Sequence, residues 1–210
     1  MPPRVYGSSR DRILDAAERL LGAEGVGGVS VESVATAAGV SKGAFFHHFK
    51  TKDAMLLSML DRMSKRVEAQ ITERAGEDPE PRGARLRAQV SLTFDEDTLA
   101  LPRGLMVAML QLVMTQPALA RLAHDINIAA VARDVGEDIV EGRALAVQLA
   151  LDGFGIAQSA GIPVTPRQRA ALRDTLMALA QPEASARPRR KTATRTRRKT
   201  TPAPAKGKRR

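Results

Sequence analysis

Three of the six aromatic residues of this chain fall within five consecutive positions, in the stretch FFHHF at 45–49. In a helix, Phe45 and Phe49 are four residues apart and therefore share one face. Phe46 and His47 then point away from that face. The pattern predicts a short helix that two phenylalanines anchor to a core, here the apolar residues of the preceding helices, while its other side stays exposed.

The residues before this stretch, Ser41 to Ala44, suit contact with a polyanion. Ser41 and Lys42 stand at the predicted helix N-terminus, where free N–H groups and the helix dipole favour phosphate. Gly43 and Ala44 have almost no side chain, so the backbone can lie close to base edges or a thymine methyl group. A helix of about eight residues is ~12 Å long, which suits a major groove ~12 Å wide.

Other chemistries find little support in the sequence. Cysteine is absent, which excludes thiolate ligands and thiol nucleophiles. His47 and His48 are adjacent, so they face different directions on a helix, and no third metal ligand is near; we expect no metal. The chain has no Gly-rich phosphate loop and no nucleophile motif, so we expect no enzyme and no cofactor.

The elements around this stretch form a predicted helix-turn-helix. A supporting helix over 8–25 starts at Ser8, which has capping-box spacing to Asp11, and ends in a glycine-rich segment. Ser30 caps a second short helix, which Gly39 ends, and the third helix follows.

A long helix is predicted to begin at Lys52 and to run to about residue 74. Further helical patterns cover 82–94, 102–114, 118–141, 143–160 and 166–180, and no strand-like alternation occurs, so the fold class is all-α. The longest uncharged run, 104–120, is 17 residues long. It is shorter than a membrane-spanning helix, so we expect no membrane association.

The net charge of +10 is unevenly distributed. Residues 183–210 hold 12 Lys or Arg and one Glu, which leaves the remaining chain near neutral. This tail has no large apolar residue, so we expect disorder there. It is either a non-specific polycation or a segment that adds affinity for DNA.

The stretch SVESVATAAGVSKGAFFHHFKTKDAM at 30–55 resembles the DNA-binding signature of the tetracycline-repressor (TetR) family of bacterial transcription regulators. The similarity extends back over ILDAAERLLGAEGVGG at 13–28. Farther along, ALAVQLALDGF at 144–154 resembles a dimer-interface helix of such proteins. The resemblance implies a helix-turn-helix DNA-binding domain at 1–51 and a helical ligand-binding and dimerisation domain at 52–182.

A member of this family would be a cytoplasmic repressor that binds a palindromic operator in double-stranded DNA as a homodimer and responds to a small-molecule effector. Where the family usually has Tyr, this chain has Phe46, so a hydroxyl that contacts phosphate is lost. Lys42 and Lys52 are each expected to contribute about one phosphate contact. The candidate DNA-binding residues are Ser30, Val31, Ser41, Lys42, Gly43, Ala44, Phe46, His47 and Lys52.

The expected effector cavity lies between the helix that begins at Lys52 and the later helices of the second domain. Methionine can adapt to a hydrophobic ligand, although the methionines there could equally be core residues. The candidate ligand-binding residues are Met106, Met109, Gln111, His124, Asn127, Gln148 and Phe154. The alternative function is an architectural DNA-binding protein whose basic tail dominates binding.

Overall fold

The computed structural model describes residues 8–95, 103–135 and 139–182, without the side chains of residues 103, 104, 106 and 135. Within these ranges the structure is helical and contains no strand, which confirms the all-α prediction. The predicted tail, 183–210, lies outside the described residues. The helices are α1 (Ser9–Gly28), α2 (Val31–Ala38), α3 (Lys42–His48), α4 (Lys52–Gly76), α5 (Ala84–Phe94), α6 (Arg103–Thr115), α7 (Pro117–Val135), α8 (Glu141–Ser159) and α9 (Pro166–Leu179).

Each of the first four helices begins at a hydroxyl side chain that accepts a hydrogen bond from a backbone N–H three residues later. Such caps satisfy one of the otherwise unpaired donors of the first helical turn. The caps of α1, α2 and α3 follow the prediction, whereas the fourth was not predicted. The pairs are Ser8 with Asp11, Ser30 with Ser33, Ser41 with Ala44 and Thr51 with Ala54.

Two predicted boundaries were wrong. α1 continues to Gly28 because Gly25 adopts φ 71° and makes a kink instead of an end. The helix predicted over 118–141 ends at Val135, and Val140 is extended at the start of α8. Val140 has φ −62° and ψ 128°, so a single helix cannot continue through it to residue 141.

The first hydrophobic cluster joins α1–α4 to α6 and the start of α7. Phe45 and Phe49 lie in it and are 0% and 3% exposed, which confirms that they anchor α3. Burying one such side chain contributes roughly 1.5–3 kcal/mol. Leu105, Ala108 and Leu112 of α6 belong to the same cluster, so α6 packs directly on the helices that hold α3 in place.

The second cluster joins α5, α8 and α9. At its centre the rings of Phe94 and Phe154 are stacked, with 4.6 Å between their centroids. A smaller third cluster, formed by Ile71, Ala88 and Leu92, connects α4 to α5. The long α4 therefore contacts both halves of the molecule.

The last turn of α9 is fastened to the linker between α4 and α5. The buried Arg87 donates hydrogen bonds to the Ala180 carbonyl, at 3.1 Å, and to the Asp78 carboxylate, at 2.8 Å. Gly83 has φ 75°, and a Cβ atom there would lie 2.5 Å from the same Ala180 oxygen. The chain thus reaches residue 182 at the end of α4 opposite Lys52.

Candidate nucleic-acid interface

The helix α3 has the two faces that its sequence predicts. Phe45 points inward, whereas Phe46 is 39% exposed and His47 is exposed. His48 is half-buried, and its Nε2 lies 2.6 Å from the Ser9 hydroxyl oxygen. His48 therefore packs against α1, and the outward face is left to Phe46 and His47.

The start of α3 presents little side-chain bulk. Ser41, Lys42 and Gly43 are exposed and Ala44 is half-buried. A Cβ atom at Gly43 would meet only the Ser41 hydroxyl, at 3.8 Å. The backbone here is open to solvent and can be approached closely by a flat or grooved surface.

The starts of α2 and α4 carry the remaining candidates. Ser30 is half-buried in its capping box with Ser33, and the half-buried Val31 packs on the first cluster. Lys52 is the first residue of α4, three positions after the core residue Phe49. The structure thus places all nine candidates at the starts of α2 and α4 or along α3, and their role in DNA binding stays a prediction.

An ion pair that was not predicted joins α2 to α3. The Lys42 ammonium lies 2.5 Å from the Glu32 carboxylate, with the two side chains 59% and 67% exposed. Glu32 is in the first turn of α2, beside Val31. This contact shows that the starts of the two helices are neighbours, and it places a negative charge inside the candidate interface.

The candidate effector residues are not gathered around one cavity in this structure. Met109 is buried in the first cluster, whereas Phe154 is buried in the second. Gln111, His124 and Asn127 are exposed.

Gln148 is half-buried and donates to Asp152 at 3.0 Å. The Met106 side chain lies outside the described residues. The contribution of these seven residues to ligand binding stays a prediction.

A buried polar group in the same half of the molecule was missed. Asp134 of α7 is 1% exposed and accepts a 2.8 Å hydrogen bond from the Gln89 amide of α5. Arg85 of α5 bonds to Glu68 of α4 at 2.9 Å and lies 3.7 Å from Asp134. The sequence gives little signal for this network, because Arg85 and Gln89 are two of several polar residues that alternate with apolar ones along α5.

Ion pairs tie α4 to the supporting helix α1. Arg62 contacts Glu18 at 2.6 Å and Asp15 at 2.8 Å, and Arg66 contacts Glu18 at 2.7 Å. Glu18 and Arg62 are largely shielded from solvent, which reduces screening of the pair. These ion pairs hold α4 to α1, which shares the first hydrophobic cluster with α3.

Both the N-terminal and the C-terminal segments of this chain match known protein families. Residues 13–59 match the family described as bacterial regulatory proteins, tetR family, and residues 83–181 match the tetracyclin repressor-like C-terminal domain. This chain belongs to the TetR family. It is a DNA-binding transcription regulator and not an enzyme.

A curated relative of this TetR-family chain is the HTH-type transcriptional regulator BetI of Burkholderia thailandensis. The two are 32% identical over 117 residues, which are 55% of this chain and 60% of the relative. The match thus spans about three fifths of that relative's length. It supports the family assignment and leaves effector and target genes open.

Two solved structures share the fold of this TetR-family chain. A TetR-family transcriptional regulator from Rhodococcus sp. has a TM-score of 0.68 at 20% identity, over 83% of this chain and 100% of that one. The multidrug binding protein EbrR, complexed with malachite green, has a TM-score of 0.65 at 23% identity, over 82% and 98%. Every helix in the described ranges is too short or too polar to cross a bilayer.

Proposed function

We propose that this regulator is a cytoplasmic repressor that binds a palindromic operator as a homodimer and is released by a small hydrophobic or amphipathic ligand. The observation that carries the proposal is the division of α3. Phe45 is fully buried, while Lys42, Gly43, Phe46 and His47 share an exposed surface on α3, the second helix of the helix-turn-helix. Such a surface can read base edges while the core holds the helix rigid.

Selection of duplexes from random sequence with the purified protein tests this function. We expect a palindrome whose half-sites are one helical turn, ~34–36 Å, or a multiple of it apart. Footprinting should then show one short protected region. Protection without sequence preference would instead support the architectural alternative. Deleting the gene should raise transcription beside the bound sites, and a fall would contradict the repressor role.

Apolar side chains on the outer face of α8 support the dimer. Leu145, Leu149 and Ile156 are 44%, 62% and 45% exposed. Phe154 of α8 and Leu176 of α9 are buried within the protomer and therefore do not belong to this outer face. Pairing α8 and α9 across a two-fold axis would cover the exposed residues in a four-helix bundle.

Leu149→Glu should convert the dimer to a monomer, because a carboxylate at the centre of an apolar contact is left without a partner. Light scattering at micromolar concentration should give a mass near 22.6 kDa instead of twice that value. Leu110→Glu on α6, where Leu110 is 38% exposed, is the matched control and should stay dimeric. A monomeric wild-type protein would contradict the dimer directly.

The proposed effector binds among the C-terminal helices and displaces α4 or α6. EbrR, which shares the fold, was solved with malachite green, a lipophilic compound. α6 packs on α1, and α4 is joined to α1 through Arg62 and Glu18. A ligand that separates α6 from α8 would thus shift the supports of α3 and favour a state with misplaced recognition helices.

The effector class can be tested by measuring the melting temperature of the DNA-free protein with apolar, amphipathic and polyanionic compounds. We expect malachite green or another lipophilic compound to raise the melting temperature and to dissociate the operator complex. If only polyanions stabilise the protein, the proposed ligand class is wrong.

A further inference from the structure

The ion pair between Glu32 and Lys42 lies within the proposed DNA-binding surface. Glu32 follows Val31 at the start of α2, and Lys42 is the first residue of α3. Their charged atoms are 2.5 Å apart, and both side chains are well exposed. Glu32 therefore already pairs with the lysine to which the proposed function gives a phosphate contact.

We propose that Glu32 is a specificity-determining residue, which holds the charge of Lys42 in the free protein and yields it to phosphate only when α3 is fully seated on the operator. This inference rests on the proposed operator-binding function. Glu32 would thus help the protein to distinguish the operator from other DNA through its contact with Lys42.

The electrostatics of the pair favour such an exchange. The hydrogen bond from the Lys42 ammonium holds the pKa of the Glu32 carboxyl below its ordinary value, so this carboxyl is ionised at neutral pH. An exposed ion pair is weak, so a well-placed phosphate can displace the carboxylate. On a loosely bound duplex the phosphate is not well placed, and the carboxylate also repels the DNA backbone.

The ion pair makes Lys42 differ from Lys52 in its contribution to DNA binding, although the sequence alone predicts about one phosphate contact for each. In the part of the chain that the structure describes, no ion pair involves Lys52. Lys52 can therefore release a full counterion from any duplex, at ~0.9 units of salt slope per contact. Lys42 is already neutralised, so its contribution to non-operator binding is small.

The test compares Glu32→Gln, Lys42→Ala, the double variant and Lys52→Ala on two duplexes, the one selected by the protein and a scrambled version, over a salt series. Glu32→Gln should raise affinity for the scrambled duplex by roughly 3–10-fold at low salt and steepen its salt slope by about one unit. The ratio of selected to scrambled affinity should fall. Adding Lys42→Ala should cancel this gain and return scrambled binding to about the wild-type level, because the pair and its double replacement have the same net charge. Lys42→Ala alone leaves the Glu32 carboxylate unpaired beside the DNA and should weaken binding to both duplexes.

Glu73→Gln is the matched control, because Glu73 is exposed on α4 far from Lys52 and its replacement changes net charge equally. The inference is overturned if Glu32→Gln and Glu73→Gln raise scrambled binding alike, or if the double variant keeps the gain in scrambled binding that Glu32→Gln alone produces. Failure of the proposed function has a different signature, since Lys52→Ala would then leave both duplexes unaffected. Circular dichroism of each variant checks that the helices are retained.

Discussion

Deleting residues 183–210 should lower the salt slope of DNA binding by about five units per protomer, if half of its 12 basic residues meet phosphate at ~0.9 units each. The truncated chain should bind random DNA more weakly than the wild type, and the ratio of the two affinities should change by roughly 10³-fold between about 50 and about 200 mM salt. Association at low salt should slow. The preferred operator sequence should not change, because every groove-reading candidate precedes residue 53. This prediction rests on sequence, since the tail lies outside the described residues.

The fold limits which tail residues can reach the operator. Arg87 fastens Ala180 beside the linker that follows α4, and α4 has 25 residues, a length of about 37 Å. A chain spans at most ~3.3–3.6 Å per residue, so about eleven residues are needed to return to the DNA-binding end. The cluster at 187–191 falls short of that distance, whereas the basic residues from Arg195 onward can cover it.

Two variants with equal charge loss test whether the tail contributes to the salt slope and which of its residues reach the DNA. One replaces the proximal set Arg187, Arg189, Arg190 and Lys191 with Gln, and the other replaces the distal set Lys206, Lys208, Arg209 and Arg210. The distal variant should lose up to ~3.6 units of slope and the proximal variant much less. Equal slopes for the wild type and the truncated chain would show that the tail never meets DNA. Equal losses in the two variants would contradict the reach argument alone.

Gly43→Leu should strongly weaken discrimination of the operator while leaving the fold intact. A Cβ atom at position 43 meets only the Ser41 hydroxyl, at 3.8 Å, so the protomer has room for the side chain. Replacing a helical glycine also stabilises the helix by up to ~1 kcal/mol. On DNA, the leucine would hold the backbone of α3 away from the base edges.

In each of the two half-sites, the substitution should cost the binding free energy of about one base-pair contact. At ~1–3 kcal/mol per position, operator affinity should fall roughly 30-fold or more, whereas scrambled DNA should bind almost as before. Gly76→Leu, at the far end of α4, is the control, because a Cβ there also meets open space. Equal losses on operator and scrambled duplexes would refute the role given to Gly43.

Local patterns predicted the helix-turn-helix well because they are short-range. Ser8, Ser30 and Ser41 each cap a helix through a bond to a residue three positions on, and Phe45 and Phe49 share a face by helical periodicity alone. The kink at Gly25 was not predicted, since a glycine can end a helix or bend it, and packing of the following residues decides between the two.

Contacts between distant segments could not be predicted in the same way. Helical periodicity predicts that Met109 and Phe154 lie on apolar faces, but it does not predict which core each joins. In the structure, Met109 lies in the core of α1–α4, whereas Phe154 stacks on Phe94. Nor does it say that Asp134 is buried against Gln89, which is 45 residues away in sequence.

The sequence by itself determined the family, the helical fold, the caps of the first three helices and the division of α3 into an anchored and an exposed side. These depend on residue types within one or two helical turns. Only the tertiary structure decided that Glu32 pairs with Lys42, that Arg62 joins α4 to α1, and that Arg87 of α5 holds Ala180 beside the linker after α4. Each of these depends on how helices are packed in space, and the free energy that selects the packing is shared among many residues far apart in the chain.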